Sequence, residues 1–167
     1  MFSSPKARQY LGYILLLAAL AALAPWAYTQ LHREQILWRN AQQAFDQGDY
    51  SQAATYYLRA WEEGKKSPRI LDRLGDAYLA ADRLQKARET FSELTRHYPG
   101  EPYAWFKLAQ ILWWEGSHES ALKKADKALE KKPDWRNALF LRARILTSQG
   151  ELREAIDIYY RILGEKP

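Results

Sequence analysis

From about residue 34 onward, small and apolar side chains recur at steps of three and four, the spacing that keeps residues on one face of an α-helix. The arrangement then repeats. Ala53, Ala87, Ala121 and Ala155 stand at a constant interval of 34, and a small residue lies 12 positions before each: Ala41, Gly75, Ala109 and Ala143. Such residues let two helices of a pair approach closely. Four positions after each alanine come Tyr57, Phe91, Ala125 and Tyr159, and three further on Ala60, Leu94, Ala128 and Ile162, all on one helical face. Between the two small positions lie Gly48, Asp82, Gly116 and Gly150, followed by Tyr50, Leu84, His118 and Leu152. Glycine or a tolerant aspartate suits a tight interhelical turn. Pro99, Pro133 and Pro167 close the later units, and Pro68 fits the first turn of a helix. The pattern predicts helix, turn and helix four times over, starting with a helix over roughly Arg33 to Phe45.

These registered positions resemble the tetratricopeptide repeat (TPR) family, whose unit of about 34 residues carries W-x2-L-G-x2-Y, then A-x3-F, then P. The second unit matches through Leu71, Leu74, Gly75, Tyr78, Ala87, Phe91 and Pro99. The third contributes Trp105, Leu108, Ala109, Leu112, Ala121, Ala128 and Pro133. Arg142 occupies a normally apolar place, and Lys65 stands where the first unit should close with proline. The resemblance implies an all-α chain: a right-handed α-solenoid of four TPR units over about 34–67, 68–101, 102–135 and 136–167.

Ahead of it lies a segment of another kind. A basic tail at 1–9 precedes an uncharged run, and 10–31 is expected to form a transmembrane helix acting as a signal anchor. The run from Tyr10 to Tyr28 would rise roughly 27 Å as a helix, close to the hydrocarbon thickness of a bilayer. Tyr10 and Tyr13 mark one end, Trp26 and Tyr28 the other, as membrane interfaces favour. A cleaved secretory signal is the alternative, since Lys6 and Arg8 precede an apolar stretch ending in Ala22-Leu23-Ala24. Pro25 just past that point argues for retention. Lys6 and Arg8 favour a cytoplasmic amino terminus, which in a bacterium makes this a single-pass inner-membrane protein with a periplasmic repeat domain. No glycine, proline or serine run separates Tyr28 from the first repeat helix, so a flexible tether is not expected.

In a solenoid of helix pairs the first helix of each pair lines the concave side. The inward stripe is then Gln35, Trp38, Gln42 and Phe45; Arg69, Asp72, Asp76 and Leu79; Tyr103, Phe106, Gln110 and Trp113; Asn137, Phe140, Arg144 and Thr147. Aromatic residues at such places anchor peptide segments, and Trp38, Phe45, Tyr103, Phe106, Trp113 and Phe140 are the candidates. The alternative is that several of them only fill the interior of the superhelix. TPR proteins that clamp a carboxylate use lysine, asparagine and arginine on inner positions. Trp38 and Gln42 replace the lysine and asparagine, and Asp72 and Asp76 are acidic, so an apolar or basic segment is expected instead. Solenoids also usually finish with a polar capping helix. Ile156, Tyr159, Tyr160 and Ile162 have none after them, which makes this terminal edge a second candidate contact, with another subunit or a second copy of the chain.

Bulk properties change little. The net charge of +5 is modest, and lysines and arginines are mixed with acids along the helices, so no nucleic-acid partner is expected. The densest basic run is Lys123, Lys124, Lys127, Lys131 and Lys132, read as a solvated face with anionic headgroups as the alternative. There is no cysteine, which removes disulfides, thiolate metal sites and cysteine nucleophiles. His32, His97 and His118 lack metal-ligand spacing, and no phosphate loop or nucleophile elbow occurs, so neither a cofactor, a metal nor catalysis is expected. The expected function is a membrane-anchored adaptor or scaffold that binds proteins during assembly of a membrane or envelope complex. The alternative is an assembly chaperone or holdase whose aromatic groove binds extended client segments.

Overall fold

A computed structural model describes residues 32–64 and 66–164, and ahead of them 13–15, 17–19, 21–24 and 28. Eight helices follow one another from Arg33: α1 (Arg33–Asp46), α2 (Tyr50–Glu63), α3 (Pro68–Ala80), α4 (Leu84–His97), α5 (Pro102–Trp114), α6 (His118–Lys131), α7 (Arg136–Gln149) and α8 (Leu152–Leu163). The first ends one residue beyond its expected boundary. Gly48, Gly116 and Gly150 turn α1 into α2, α5 into α6 and α7 into α8 with φ of 81°, 77° and 85°. Asp82 adopts φ of 56° at the same register between α3 and α4, so the tolerant aspartate does the work of a glycine. Pro68 and Pro102 open α3 and α5, where a missing N–H costs nothing. Asp49 caps α2 by accepting the Gln52 N–H at 3.0 Å.

Each helix packs on the next in sequence, and α5 also meets α7. The core is correspondingly drawn out along the array. One buried cluster runs from Ala41 through Phe91 to Ile111, a second joins α5, α6 and α7, and a third ties Leu139, Ala143 and Leu146 of α7 to Ala155 and Ile158 of α8. All the fully repeated alanines are buried. Gly75 shows why that register demands small residues: a β-carbon there would lie 2.5 Å from Phe91 Cζ. Arg142, the departure from apolar type, is accommodated by ion pairs. Its guanidinium reaches Asp126 at 2.7 Å and Glu154 at 2.6 Å, linking α6, α7 and α8. Burial works against its charge, but these two carboxylates outweigh burial and raise its pKa.

The closing-proline register at Lys65 and Pro167 lies outside the described residues, and so does much of the expected span over 10–31. The described residues within 13–28 are helical and exposed. Among the described residues no helix is long and apolar enough to cross a membrane. The His32 N–H donates to the Tyr28 carbonyl and the Ile36 N–H to the His32 carbonyl, both at 3.0 Å, so helical bonding reaches α1 from upstream. Arg33 then pairs with Glu63 at 2.6 Å, fastening the start of α1 to the end of α2.

Candidate functional site

The first helices of the pairs share one face, and three depressions run along it. The first, about 530 Å³, lies between α1 and α3 around Trp38, Gln42 and Arg69. A smaller one of about 230 Å³ sits between α3 and α5 at Arg69, Asp72 and Tyr103. The third, about 440 Å³, lies between α5 and α7 and collects Phe106, Gln110, Trp113, Phe140 and Arg144. The expected inward stripe is therefore brought together. Phe45, Asp76, Leu79 and Thr147 line none of these depressions, and Phe45 instead packs on Tyr50 at 5.1 Å and on the core.

Two arginines lie flat on tryptophans at the two ends. The Arg69 guanidinium sits 4.5 Å from the Trp38 ring, and Arg144 sits 4.2 Å from Trp113 and 5.9 Å from Phe140. Neither makes an ion pair among the described residues, and Arg39 and Arg73 beside them make none either. A guanidinium stacked on an aromatic face keeps its N–H edge free to donate. Trp38 also meets Tyr57 edge-on, and the Tyr57 hydroxyl donates to Gln42 Oε1 at 3.4 Å, so the indole is held by the core beneath it. Phe106 is buried and packs on Trp135 at 4.7 Å, leaving it a supporting role. Phe140 and Trp114 are 48% and 54% exposed, which makes them the open aromatic surface of this face.

The middle of the groove is bridged. Tyr103 donates its hydroxyl to both oxygens of Asp76 at 3.1 Å, and Lys107 Nζ lies 3.1 Å from Asp76 Oδ1. Burial would lower the Lys107 pKa, but Tyr103 and Asp76 hold it above its ordinary value, so the amine stays charged. Burial pushes the Tyr103 phenol up, keeping it a donor. Of the acidic pair for which an apolar or basic segment is expected, Asp76 is thus bridged from within, while Arg69 and Arg144 make no ion pair among the described residues. Asp72 behaves differently from Asp76. Its Oδ1 is enclosed without a hydrogen-bond partner, as is Gln110 Oε1. Burial, with Asp76 close by, pushes Asp72 from 3.8 up to about 6.

A raised carboxyl pKa means that ionising Asp72 opposes folding. The penalty is absent below pH 3.8, grows as pH rises and is complete above about 6. Asp72→Asn is expected to stabilise the protein by about 1–2 kcal/mol at pH 7.5, after allowing for solvent screening of a half-buried group. That gain should vanish near pH 4, which urea denaturation at the two pH values would establish. Equal effects at both would assign it to packing.

Lys107, Trp135 and Trp114 belong to the site without having been singled out from sequence. Lys107 lies in register with Arg39 and Arg73 at intervals of 34, a cation ladder that was there to be read. Trp135 ends the turn that begins at Pro133, yet stacks on Tyr103 at 6.3 Å. The basic run on α6 is largely committed: Lys123 pairs with Glu119, Lys127 with Glu130, and Lys124 and Lys132 lie over Trp105 and Trp135. At the terminal edge Ile156 is exposed, while Tyr159, Tyr160 and Ile162 are half-buried. A further depression of about 630 Å³ opens on another face. Its polar lining bonds to itself, Arg88 to Gln85 at 2.7 Å and Gln85 to Glu89 at 2.7 Å, and it offers little unsatisfied chemistry.

Two tetratricopeptide repeat models match overlapping stretches, residues 44–111 and 107–167. DnaJ homolog subfamily C member 3 from Bos taurus is 31% identical over 94 residues, 56% of this chain and 19% of that protein. The chain thus spans about a fifth of the length of the curated relatives it matches. Among solved structures, MamA superposes with a TM-score of 0.75 at 16% identity, covering 98% of this chain and 95% of that one. The first TPR domain of Spaghetti (RPAP3), bound to the HSP90 peptide SRMEEVD, gives a TM-score of 0.65 at 17% identity, covering 70% and 93%. At these identities the likeness is one of fold. Repeats of this kind generally mediate protein–protein interactions.

Proposed function

Because the chain belongs to the tetratricopeptide repeat family, we propose that it is a membrane-anchored adaptor that holds a protein segment along the face of α1, α3, α5 and α7. Residues 10–31 are its anchor, and the repeats stand in the periplasm of a bacterium, organising partners at the inner membrane. The observation that carries the reading is the pair of arginine-on-tryptophan stacks, Arg69 on Trp38 and Arg144 on Trp113, set in open depressions with neither guanidinium held in an ion pair among the described residues. Aromatic and arginine side chains in such settings dominate binding energies at interfaces. An extended segment with apolar residues for the depressions and carboxylates for the guanidiniums fits this surface better than a basic one. The solved likeness that carries a bound peptide supports segment binding as a use of the fold. The helical hydrogen bonds from the His32 N–H to the Tyr28 carbonyl and from the Ile36 N–H to the His32 carbonyl suit a short, stiff link to the bilayer.

The second reading is a holdase that binds client segments transiently on the same face. Stoichiometry separates the two, since an adaptor is recovered in fixed ratio with its partner. A photo-crosslinker at Gln110 in native membranes is expected to capture a partner, and Trp113→Ala with Phe140→Ala should reduce that yield at least about tenfold. Unchanged capture in the double variant would remove this face as the docking site.

A further inference from the structure

The two edges of the array carry different charge. The starts of α1, α3, α5 and α7 and the ends of α2, α4, α6 and α8 share one edge, stitched by Arg33 on Glu63 at 2.6 Å, the Tyr98 hydroxyl on the Lys66 carbonyl at 3.1 Å and Arg161 on Asp134 at 2.6 Å. Lys66, Arg96, Lys131, Lys132 and Arg136 are exposed there and make no ion pair among the described residues, against Glu62 and Glu101 in the same condition. On the opposite edge Asp46, Asp49, Asp82 and Glu151 are interleaved with Arg83, Lys86 and Arg153, so its exposed charges offset one another. Cations at the ends of α4 and α6 complement the helix dipole, but Arg136 opens α7, where the dipole disfavours one. Helix stability therefore accounts for only part of the set. Lys66 and Lys132 lie over Trp61 and Trp135 at 4.4 and 5.3 Å, which holds each ammonium in place without neutralising it.

We propose that the first of these edges rests on the anionic headgroups of a lipid bilayer. The inference rests on the anchor assigned above to residues 10–31. The hydrogen bonds from His32 to Tyr28 and from Ile36 to His32 bring the chain into α1 at its start, so the cationic edge is the one turned to lipid. A helix of 14 residues such as α1 spans about 21 Å, which sets the opposite edge beyond the roughly 10 Å reach of surface charge at 0.1 M salt. Basic residues clustered beside a membrane anchor are drawn to an anionic surface, each worth roughly fivefold in partitioning. The groove face of α1, α3, α5 and α7 then stands upright on the membrane.

Because the chain has no cysteine, a single fluorophore can be attached through Gly100→Cys on the cationic edge, where a β-carbon meets nothing within 4 Å, or through Ser117→Cys on the opposite one. The full chain is reconstituted in phosphatidylcholine bilayers with or without phosphatidylglycerol, each holding a headgroup-attached quencher. In the anionic bilayer quenching at position 100 is expected to exceed that at 117 at least about threefold, and to fall to the zwitterionic level in about 1 M salt. Neutralising the edge with Lys66→Gln, Arg96→Gln and Arg136→Gln together should have the same effect. Equal quenching at the two positions, or quenching at 100 indifferent to lipid charge or to the triple variant, overturns the proposal. If the triple variant unfolds at lower temperature than the natural chain, Lys131→Gln with Lys132→Gln is read in its place. Flotation with phosphatidylcholine vesicles in about 1 M salt tests the anchor separately. Should the chain fail to float, the anchor is wrong and the edge is read by itself: flotation with phosphatidylglycerol vesicles at low salt, weakened about a hundredfold in the triple variant, retains the edge, and no flotation there overturns it.

Discussion

Replacing Phe91 by alanine is expected to cost about 3–5 kcal/mol in the free energy of unfolding, the range for an aromatic side chain deleted from a closed core. Phe91 is fully buried, and its ring lies over Gly75 of α3 and 6.5 Å from Tyr103 of α5. One side chain thus joins the second helix pair to the third. Neighbouring units stabilise one another in an array of this kind, so the loss falls on both the α3–α4 pair and its junction with α5. The cavity should be partly refillable. The third unit naturally places Ala109 and Ala125 at the registers of Gly75 and Phe91, so Gly75→Ala is expected to harm the natural chain but to recover about 1 kcal/mol in the Phe91→Ala background. Urea denaturation of the four proteins measures the coupling. Strict additivity would show that the two positions do not share a packing contact.

The second large effect is expected at Lys107. Its amine and the Asp76 carboxylate are 3.1 Å apart, with side chains only 19% and 18% exposed. An exposed pair contributes at most about 1 kcal/mol, whereas breaking a buried one costs about 3–5, and this bridge lies between them. Lys107→Met should therefore cost about 2 kcal/mol at pH 7, because Asp76 keeps the Tyr103 hydroxyl but loses its ion-pair partner while Asp72 stands close by. Adding Asp76→Asn is expected to return about half of that loss. A cost below about 0.5 kcal/mol for Lys107→Met would show an amine solvated rather than bridged.

The helices were legible because each obeys a local rule that repeats. Gly48, Gly116 and Gly150 sit where positive φ is needed, and Asp82 takes the same conformation at its own turn. Pro68 and Pro102 open helices, and Gly75 admits the Phe91 ring. Membership of the groove was legible for the same reason, since register alone assigns Trp38, Asp72, Phe106 and Phe140 to one position in successive units. The character of the groove was not. Asp72 and Asp76 read as a pair of helical acids suited to an apolar or basic segment, and nothing in the sequence signals that Tyr103 and Lys107 reach Asp76 from the following unit. Sequence spacing along one helix carries no information about a contact made across two units. Phe106 and Phe45 likewise looked open and serve largely as packing, since each is covered by a ring from outside its own helix, Trp135 and Tyr50.

Period and residue size thus suffice for the succession of helices, their turns and the faces they bury, because those follow from backbone geometry and steric fit between near neighbours in the chain. Which charges cancel and which stay free depends on distances between separate units. Those distances leave Arg69 and Arg144 stacked on tryptophans and Asp76 bridged, and they exist only once the units have stacked.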